Sequence, residues 1–464
     1  MSNYSCSEPP YNYTTACNGE FTMESLQVRV PFIVTEIINT VHRQVSKALT
    51  TDPSKAEDGK LIISQLTTLI HEMSTNKPLT PIQDDHIGDI PQINSFLSKY
   101  YQENTWIDAP FLYWETYLYR RIAGIFLRSN NFKSFDYFAD SKKKAFLDSV
   151  SAIAQLVAKV DLLVSECSET SASVAQDTIQ KRKLVGFLEI LQISLWGNQT
   201  DLSMFPDLKT ADLEKMQANL LSGDNKHNLV SNDSEAIFHI AESAKADSIS
   251  IVLDNSGFEL FGDLLLAHWL IELGYTSKVI FHSKNIPWYV SDVTPWDFSY
   301  VVDSCANKDT FINDTNKSDP SFLENIATLS TMAQKWQSHL KSGVWQVQSH
   351  HFWTGPYQYT LLPEIAPDLW ATLSQSNLVF FKGDLNYRKL ISDLAWPTDT
   401  PFVRAIGAIA DSTTAPAIIA LRTSKAEVMV GVDPETFKPL DKNVPNWKSI
   451  GKYGVIQCSS GRFA

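Results

Sequence analysis

Polar side chains follow several short apolar runs of this chain, in the pattern of a strand that ends in a turn before a helix. In the first such segment, the Ile- and Val-rich run 249–253 is followed by Asp254, Asn255, Ser256 and Gly257. Carboxylate and amide oxygens are hard ligands that suit Mg²⁺ or Mn²⁺ better than zinc. Backbone N–H groups at the start of the next helix can hold a phosphate. One turn could therefore bind a metal ion and the phosphate that it activates.

Three further acidic residues could complete this site. Glu259 and Asp263 are one helical turn apart and face the same way, and Glu259 is near enough to orient a metal-bound water. Asp292 follows the next apolar run, 279–282, and could supply a third oxygen ligand. The alternatives are a solvated loop with an Asx cap at 254–257, a solvent-facing helix position at Asp263 and an ordinary helix cap at Asp292.

Basic residues follow two later apolar runs. Lys382 follows the run 377–381 and begins a glycine turn that also contains Asp384 and Asn386. Arg422 and Lys425 follow the run 417–421. A cation at such a position is well placed to neutralise a phosphate oxygen. Solvated surface turns are the alternative for both segments.

The N-terminal half also contains polar residues that could meet a ligand. Glu115 and Arg120 lie in an aromatic helical segment, and Asn198 lies in a Gly-Asn turn after a later helix. Glu115 and Arg120 could contact a polar ligand from above a sheet, or they could form a structural ion pair, which is the more common outcome.

The pattern of apolar residues changes along the chain and predicts two kinds of structure. A flexible N-terminus at 1–25 and a helical domain at 26–215 precede a polar linker at 216–245. Short apolar runs then alternate with helical segments through an α/β domain at 246–464. Alternating strands and helices predict a mostly parallel sheet with helices on both faces. The expected strands are 249–253, 278–282, 300–302, 344–347, 378–382, 417–421 and 453–458.

Composition and missing motifs exclude several classes of protein. A net charge of −13 gives no general attraction for nucleic acid or anionic membranes, and no apolar stretch is long enough for a membrane span. The five scattered cysteines form no ligand pairs and fit a reducing compartment, so we expect a cytoplasmic protein, with the nucleus as a second location. The chain has no Gly-x-Ser-x-Gly elbow, and no Walker loop or GxGxxG follows a strand.

Several long segments together resemble a known family. The segments 117–121, 194–203, 253–260, 286–294, 381–390 and 422–428 are similar, in order, to motifs of the DUF89 damage-control phosphatases. Within that family the resemblance is to the eukaryotic subgroup III, the acidic residue methyltransferase 1-like proteins. It implies a Rossmann-like domain joined to a helical N-terminal domain. It also implies hydrolysis of sugar phosphates such as fructose 1-phosphate and fructose 6-phosphate, in metabolite damage control.

The resemblance implies that a divalent ion (Mn²⁺, Co²⁺, Ni²⁺ or Mg²⁺) is held by Asp254, Asn255 and Asp292. From the residues themselves, we expect Asp254 and Glu259 to be the catalytic residues. We also expect a larger set to bind the phosphate and the rest of the substrate: Ser256, Gly257, Lys382, Asp384, Asn386, Arg422, Lys425, Glu115, Arg120 and Asn198.

Two other functions stay open at this stage. A protein carboxyl methyltransferase that uses S-adenosylmethionine could have the same fold, although no Gly-rich loop follows the first strand. A sugar-phosphate sensor without catalytic activity is the other alternative. The residues leave open the physiological substrate, the native metal, the oligomeric state and the choice between direct water attack and a phospho-enzyme.

Overall fold

The computed structural model describes residues 22–168, 176–197, 227–244, 247–410 and 413–463. Within them, one seven-stranded sheet is the centre of the fold. Its strands are β1 (Leu229–Asn232), β2 (Ile249–Val252), β3 (Val279–Ser283), β4 (Trp345–Ser349), β5 (Leu378–Lys382), β6 (Ala417–Thr423) and β7 (Gly454–Ser459).

Helices precede the sheet and connect its strands. A short π-helical turn, Ser25–Arg29, leads into the first α-helix. The α-helices are α1 (Val30–Ala48), α2 (Pro53–Ser74), α3 (Ile90–Tyr100), α4 (Phe111–Leu127), α5 (Ala139–Asp148), α6 (Val150–Ser168), α7 (Gln176–Trp196), α8 (Ser234–Ala244), α9 (Phe258–Glu272), α10 (Pro295–Ala306), α11 (Pro320–Ser342), α12 (Leu362–Ile365), α13 (Pro367–Gln375), α14 (Gly383–Leu390), α15 (Phe402–Ile406) and α16 (Pro434–Asn443). None of the helices in these ranges combines the length and hydropathy that crossing a membrane requires.

The strand order confirms the predicted mostly parallel sheet. The strands lie in the order β1-β7-β6-β5-β2-β3-β4. The five neighbouring strands β6, β5, β2, β3 and β4 are parallel to one another, whereas β7 runs antiparallel to β6 and parallel to β1. The carboxyl ends of β6, β5, β2 and β3 are therefore neighbours on one edge, where open α/β sheets bind ligands.

Apolar side chains of the strands alternate between two hydrophobic cores. Val252 and Phe381 share a core with the N-terminal helices α1 to α4. Ile251 and Phe380 share the core on the other face, with α6, α7 and α9. Because both faces are covered, the central strands are mostly apolar rather than alternating with polar residues. The N-terminal helices thus form layers on both sides of the sheet.

The structure corrects two of the sequence expectations. Residues 300–302, expected as a strand, lie inside α10. Thr294 and Asp297 form a capping box, with Pro295 as the first residue of the helix, and so start a helix there. The second half of the expected linker 216–245 contains β1 and α8. Strand β1 adds to the sheet through β7, and α8 buries its apolar face in the second core.

Candidate active site

A narrow cleft with a cavity volume of about 30 Å³ opens at the carboxyl edge of the sheet. Four strand ends contribute to it, and two segments of the N-terminal helical region cover one side. Its lining residues are Arg29, Glu115, Asp254, Asn255, Tyr289, Asp292, Asp384, Leu385, Arg388 and Lys425. The three predicted metal ligands, together with Glu115, Asp384 and Lys425, are therefore brought to one place.

The predicted metal ligands are held by main-chain pairing between two turns. Asn255 and Asp292 form an isolated antiparallel bridge. The Ser256 amide donates to the Ser291 carbonyl at 2.7 Å, and the Val293 amide donates to the Asp254 carbonyl at 2.8 Å. These bonds fix the turn after β2 against the segment that follows β3.

The Asn255 amide has a defined orientation in this turn. Its Nδ2 donates to Asp254 Oδ2 and to Glu259 Oε2, both at 2.8 Å, and its Oδ1 accepts from Ser291 Oγ at 2.6 Å. A carbonyl oxygen has two lone pairs, so Oδ1 keeps one acceptor site besides the Ser291 bond. Glu259 is buried and is not among the lining residues; it contacts Asn255 instead.

The donor set fits a hard divalent cation. Two carboxylates, Asp254 and Asp292, and one amide oxygen, that of Asn255, line the same cleft. Oxygen ligands of this kind are those that Mg²⁺ and Mn²⁺ prefer. Within the described ranges, no three His, Cys, Asp or Glu side chains come together as a metal-binding group, so the amide is the third member of this set.

Lys284 supports this donor set from behind, which the sequence analysis did not predict. Its Nζ lies 3.1 Å from Asp292 Oδ2 and donates to the Leu253 carbonyl at 2.8 Å.

Tyr289 and Val290, just before Asp292, both have positive φ angles, 42° and 69°. A β-branched residue is rarely found in this region, and such backbone strain clusters at functional sites.

Gly383 allows Asp254 to approach β5 closely. A Cβ on Gly383 would lie 1.8 Å from Asp254 Oδ2, and its φ of +79° is one that glycine adopts without strain. The next residue, Asp384, accepts from Arg422 Nε at 2.7 Å and from the Lys425 amide at 3.0 Å. Asp384 thus ties the turn after β5 to the turn after β6.

Arg422 is a buried support rather than a lining residue. Its guanidinium also donates to the Val428 carbonyl at 2.6 Å and to the Ala426 carbonyl at 3.0 Å, so it fixes the loop that contains Lys425. Asn386 is also buried and does not line the cleft. Its Nδ2 donates to the carbonyls of Leu253 at 3.2 Å and Lys382 at 2.7 Å.

Lys382 does not reach the cleft, contrary to the sequence expectation. It is fully buried, and its Nζ lies 2.7 Å from Asp263 Oδ1 and 3.4 Å from Glu259 Oε1. Burial by itself lowers the pKa of Lys382, but the two carboxylates outweigh it and raise that pKa above its ordinary value. Burial raises the pKa of Asp263 to about 6.

Arg120 is likewise absent from the cleft. Its guanidinium is buried and pairs with Asp85 and Asp89, each at 2.6 Å. Arg120 therefore has a structural role, but its partners are Asp85 and Asp89 and not Glu115, with which the sequence analysis had kept an ion pair as an alternative. Ser256 and Gly257 also lie outside the lining set, and the Ser256 amide is used within the turn. Asn198 lies outside the described residues.

Glu115 lines the cleft between two arginines. Its Oε1 lies 2.6 Å from Arg29 Nη2, and its Oε2 accepts from Arg388 Nη1 at 3.2 Å. Arg388 is also held by Asp393 through two bonds, at 2.8 and 3.0 Å. Burial by itself lowers the pKa of Arg388, but Asp393 and Glu115 outweigh it and raise that pKa well above its ordinary value.

Four lining residues were not among the predicted site residues: Arg29, Tyr289, Leu385 and Arg388. Arg388 could have been found, because it stands one helical turn after Asp384 and so faces the same way. Arg29 carries no comparable signal, since only packing of the N-terminal helices over the sheet edge brings it to the cleft.

Comparisons with known proteins agree on one family. A family model described as the damage-control phosphatase ARMT1-like domain matches residues 25–438. The chain is 33% identical to damage-control phosphatase ARMT1 of Mus musculus over 467 residues, which covers 97% of this chain and 98% of the mouse protein. It is 32% identical to ARMT1 of Homo sapiens, with 95% and 96% covered.

One solved structure is also similar. It is the crystal structure of a DUF89 family protein from Pyrococcus horikoshii, with a TM-score of 0.43 and 15% sequence identity. The alignment covers 92% of this chain and 97% of that one.

Proposed function

Because this chain belongs to the damage-control phosphatase ARMT1-like family, we propose that it is a metal-dependent phosphatase of sugar monophosphates such as fructose 1-phosphate and fructose 6-phosphate. The observation that carries the proposal is the single cleft that joins Asp254, Asn255 and Asp292 with Arg388 and Lys425. Hard oxygen ligands beside cations are what phosphoryl transfer requires, because its catalysis depends on positioning and on charge neutralisation.

In this proposal, Asp254, Asn255 and Asp292 hold one divalent cation. When bound, the cation supplies Lewis-acid polarisation and lowers the pKa of water. Glu259 is a positioning residue: its carboxylate accepts from Asn255 Nδ2, which turns the amide oxygen away from Glu259 and towards Ser291. Lys284 holds the Asp292 carboxylate in place in the same way.

Side chains of the chain itself supply the remaining contacts with the substrate. Lys425 neutralises phosphate oxygens, as the sequence analysis expected, whereas Lys382, which was given the same role, lies outside the cleft. Asp384 keeps Lys425 in place through its backbone amide. Glu115 and Asp384, as carboxylates that line the cleft, accept hydrogen bonds from sugar hydroxyls.

Phosphate release from a panel of sugar phosphates tests this function. We expect turnover with Mn²⁺, Co²⁺, Ni²⁺ or Mg²⁺ and none with chelator. Asp254→Ala should lose the metal-dependent activity, by about 10³-fold or more, because a metal ligand and its charge are removed.

Controls separate chemistry from folding. Asp161→Ala, at an acidic residue on α6 outside the cleft, should keep full activity. Circular dichroism of Asp254→Ala should match that of the wild type. Full activity in Asp254→Ala, or turnover that persists in chelator, would contradict the proposal.

A further inference from the structure

A carboxylate lies between two arginines at the side of the cleft that the helices cover. Glu115 is 1% exposed, and each of its oxygens contacts a different guanidinium, those of Arg29 and Arg388. Arg29 comes from the turn before α1, Glu115 from α4 and Arg388 from α14. Three separate elements therefore place these charges together, in the same cleft as Asp254 and Asp292.

The charges of this group are balanced by residues of the chain. Arg388 has a bidentate partner in Asp393, and Glu115 adds a negative charge that faces both arginines. Two cations thus face two carboxylates. An arginine pair without Glu115 would carry one more positive charge, and arginines are the side chains best suited to bind a second phosphate.

We propose that Glu115 is a specificity-determining residue that restricts the cleft to phosphate monoesters whose remaining part is uncharged. This inference rests on the proposed function. A substrate with a second phosphate would bring that group to arginines whose charge Glu115 already matches, and would meet the Glu115 carboxylate itself. Like charges placed together in a buried site reject the wrong ligand, which is a common basis of specificity.

Glu115→Gln tests the proposal because glutamine keeps the size of the side chain and removes its charge. The measurement is the ratio of kcat/KM for fructose 1,6-bisphosphate to kcat/KM for fructose 6-phosphate. We expect this ratio to rise at least about tenfold, because a charge-assisted hydrogen bond to a second phosphate replaces a repulsive contact.

A second variant shows whether Arg29 carries the gain. In Glu115→Gln/Arg29→Gln the charges balance again, so the ratio should return close to that of the wild type. Titration calorimetry with fructose 1,6-bisphosphate in chelator gives a readout independent of turnover. Glu115→Gln should bind the bisphosphate more tightly than the wild type does, again by about tenfold.

Glu72→Gln is the matched control. Glu72 pairs with Arg121, which lies on the same helix as Glu115, but neither residue lines the cleft. This variant should leave the ratio unchanged.

The outcomes separate the inference from the function on which it rests. Wild-type protein that hydrolyses no sugar phosphate with any metal contradicts the proposed function. Active wild type, with a ratio and a bisphosphate affinity that do not change in Glu115→Gln, overturns the role of Glu115 alone. A fall in both kcat/KM values by the same factor also overturns it, since that result indicates a merely structural carboxylate.

Discussion

Lys425 and Lys382 both follow apolar strands, yet they lie in different environments. Lys425 lines the cleft together with Asp254 and Asp292. Lys382 lies on the opposite side of the sheet, where it pairs with Asp263 and donates to the Ser194 carbonyl at 2.7 Å. The direction of the side chain at the strand end, and not the strand end itself, separates a residue of the cleft from a structural one.

The alternation of side chains along a strand explains why Lys382 lies away from Asp254, whereas Lys425 lies in the loop two residues beyond β6. Leu378 and Phe380 of β5 belong to the core formed with α7 and α9, and Lys382 continues that series. Val252 of β2 belongs to the other core, and Asp254 continues that one. Because successive side chains of a strand point to opposite faces, Lys382 and Asp254 lie on different sides of the sheet.

The sharpest test of the comparison is to replace each lysine by methionine. Lys382→Met leaves Asp263 buried without its cation, so the free energy of unfolding should fall by about 3–5 kcal/mol. Lys425→Met should instead lower kcat/KM by about 10²–10³-fold, because a phosphate contact is lost. Urea denaturation and steady-state kinetics of both variants measure the two effects. The comparison fails if Lys425→Met is the less stable protein and Lys382→Met the less active one.

A smaller effect is expected at Gly383, the glycine that follows Lys382 at the end of β5. Gly383→Ala places a methyl group on the Asp254 carboxylate and forces a strained φ, so Asp254 must move. We expect affinity for Mn²⁺ to fall at least about tenfold, measured by calorimetry.

Gly274→Ala is the control for this variant. Gly274 has a similar φ, +73°, but a Cβ there would meet no atom within 4 Å. Metal affinity should therefore be unchanged in Gly274→Ala, although both variants carry the same backbone strain. Equal affinities in the two alanine variants would show that the close approach to Asp254 has no role.

A further effect, which depends on pH, is expected at His282 in the interior of the sheet. Burial lowers the pKa of His282 to about 3, from an ordinary value of 6.5. A depressed folded-state pKa means that the stability from this group is present above pH 6.5 and is lost as pH falls towards 3. Between pH 7 and pH 5 the loss should be about 2 kcal/mol.

Urea denaturation at the two pH values measures this loss. His282→Gln should lack about 2 kcal/mol of the wild-type pH dependence. His86→Gln removes an exposed histidine, with 81% of the side chain accessible, and should keep the wild-type dependence. An unchanged pH dependence in His282→Gln would contradict the buried, neutral state of His282.

The sequence by itself determined six of the seven strands of the sheet, because apolar runs bounded by turns need only local information, but it missed β1. Six of the seven expected strands are confirmed. The other expected strand, 300–302, was wrong, because a capping box starts a helix at the Pro-Trp-Asp segment before it. The sequence also brought Asp254, Asn255 and Asp292 to one sheet edge, since parallel strands end together.

Only the tertiary structure decided which charges face the cleft. The same cation types lie in the cleft at Lys425 and Arg388 and in buried ion pairs at Lys382 and Arg120. Arg29 reaches the cleft because α1 and α4 pack over the edge of the sheet, a contact between distant parts of the chain. Local spacing fixes where a strand ends, whereas long-range packing fixes which carboxylate each cation meets.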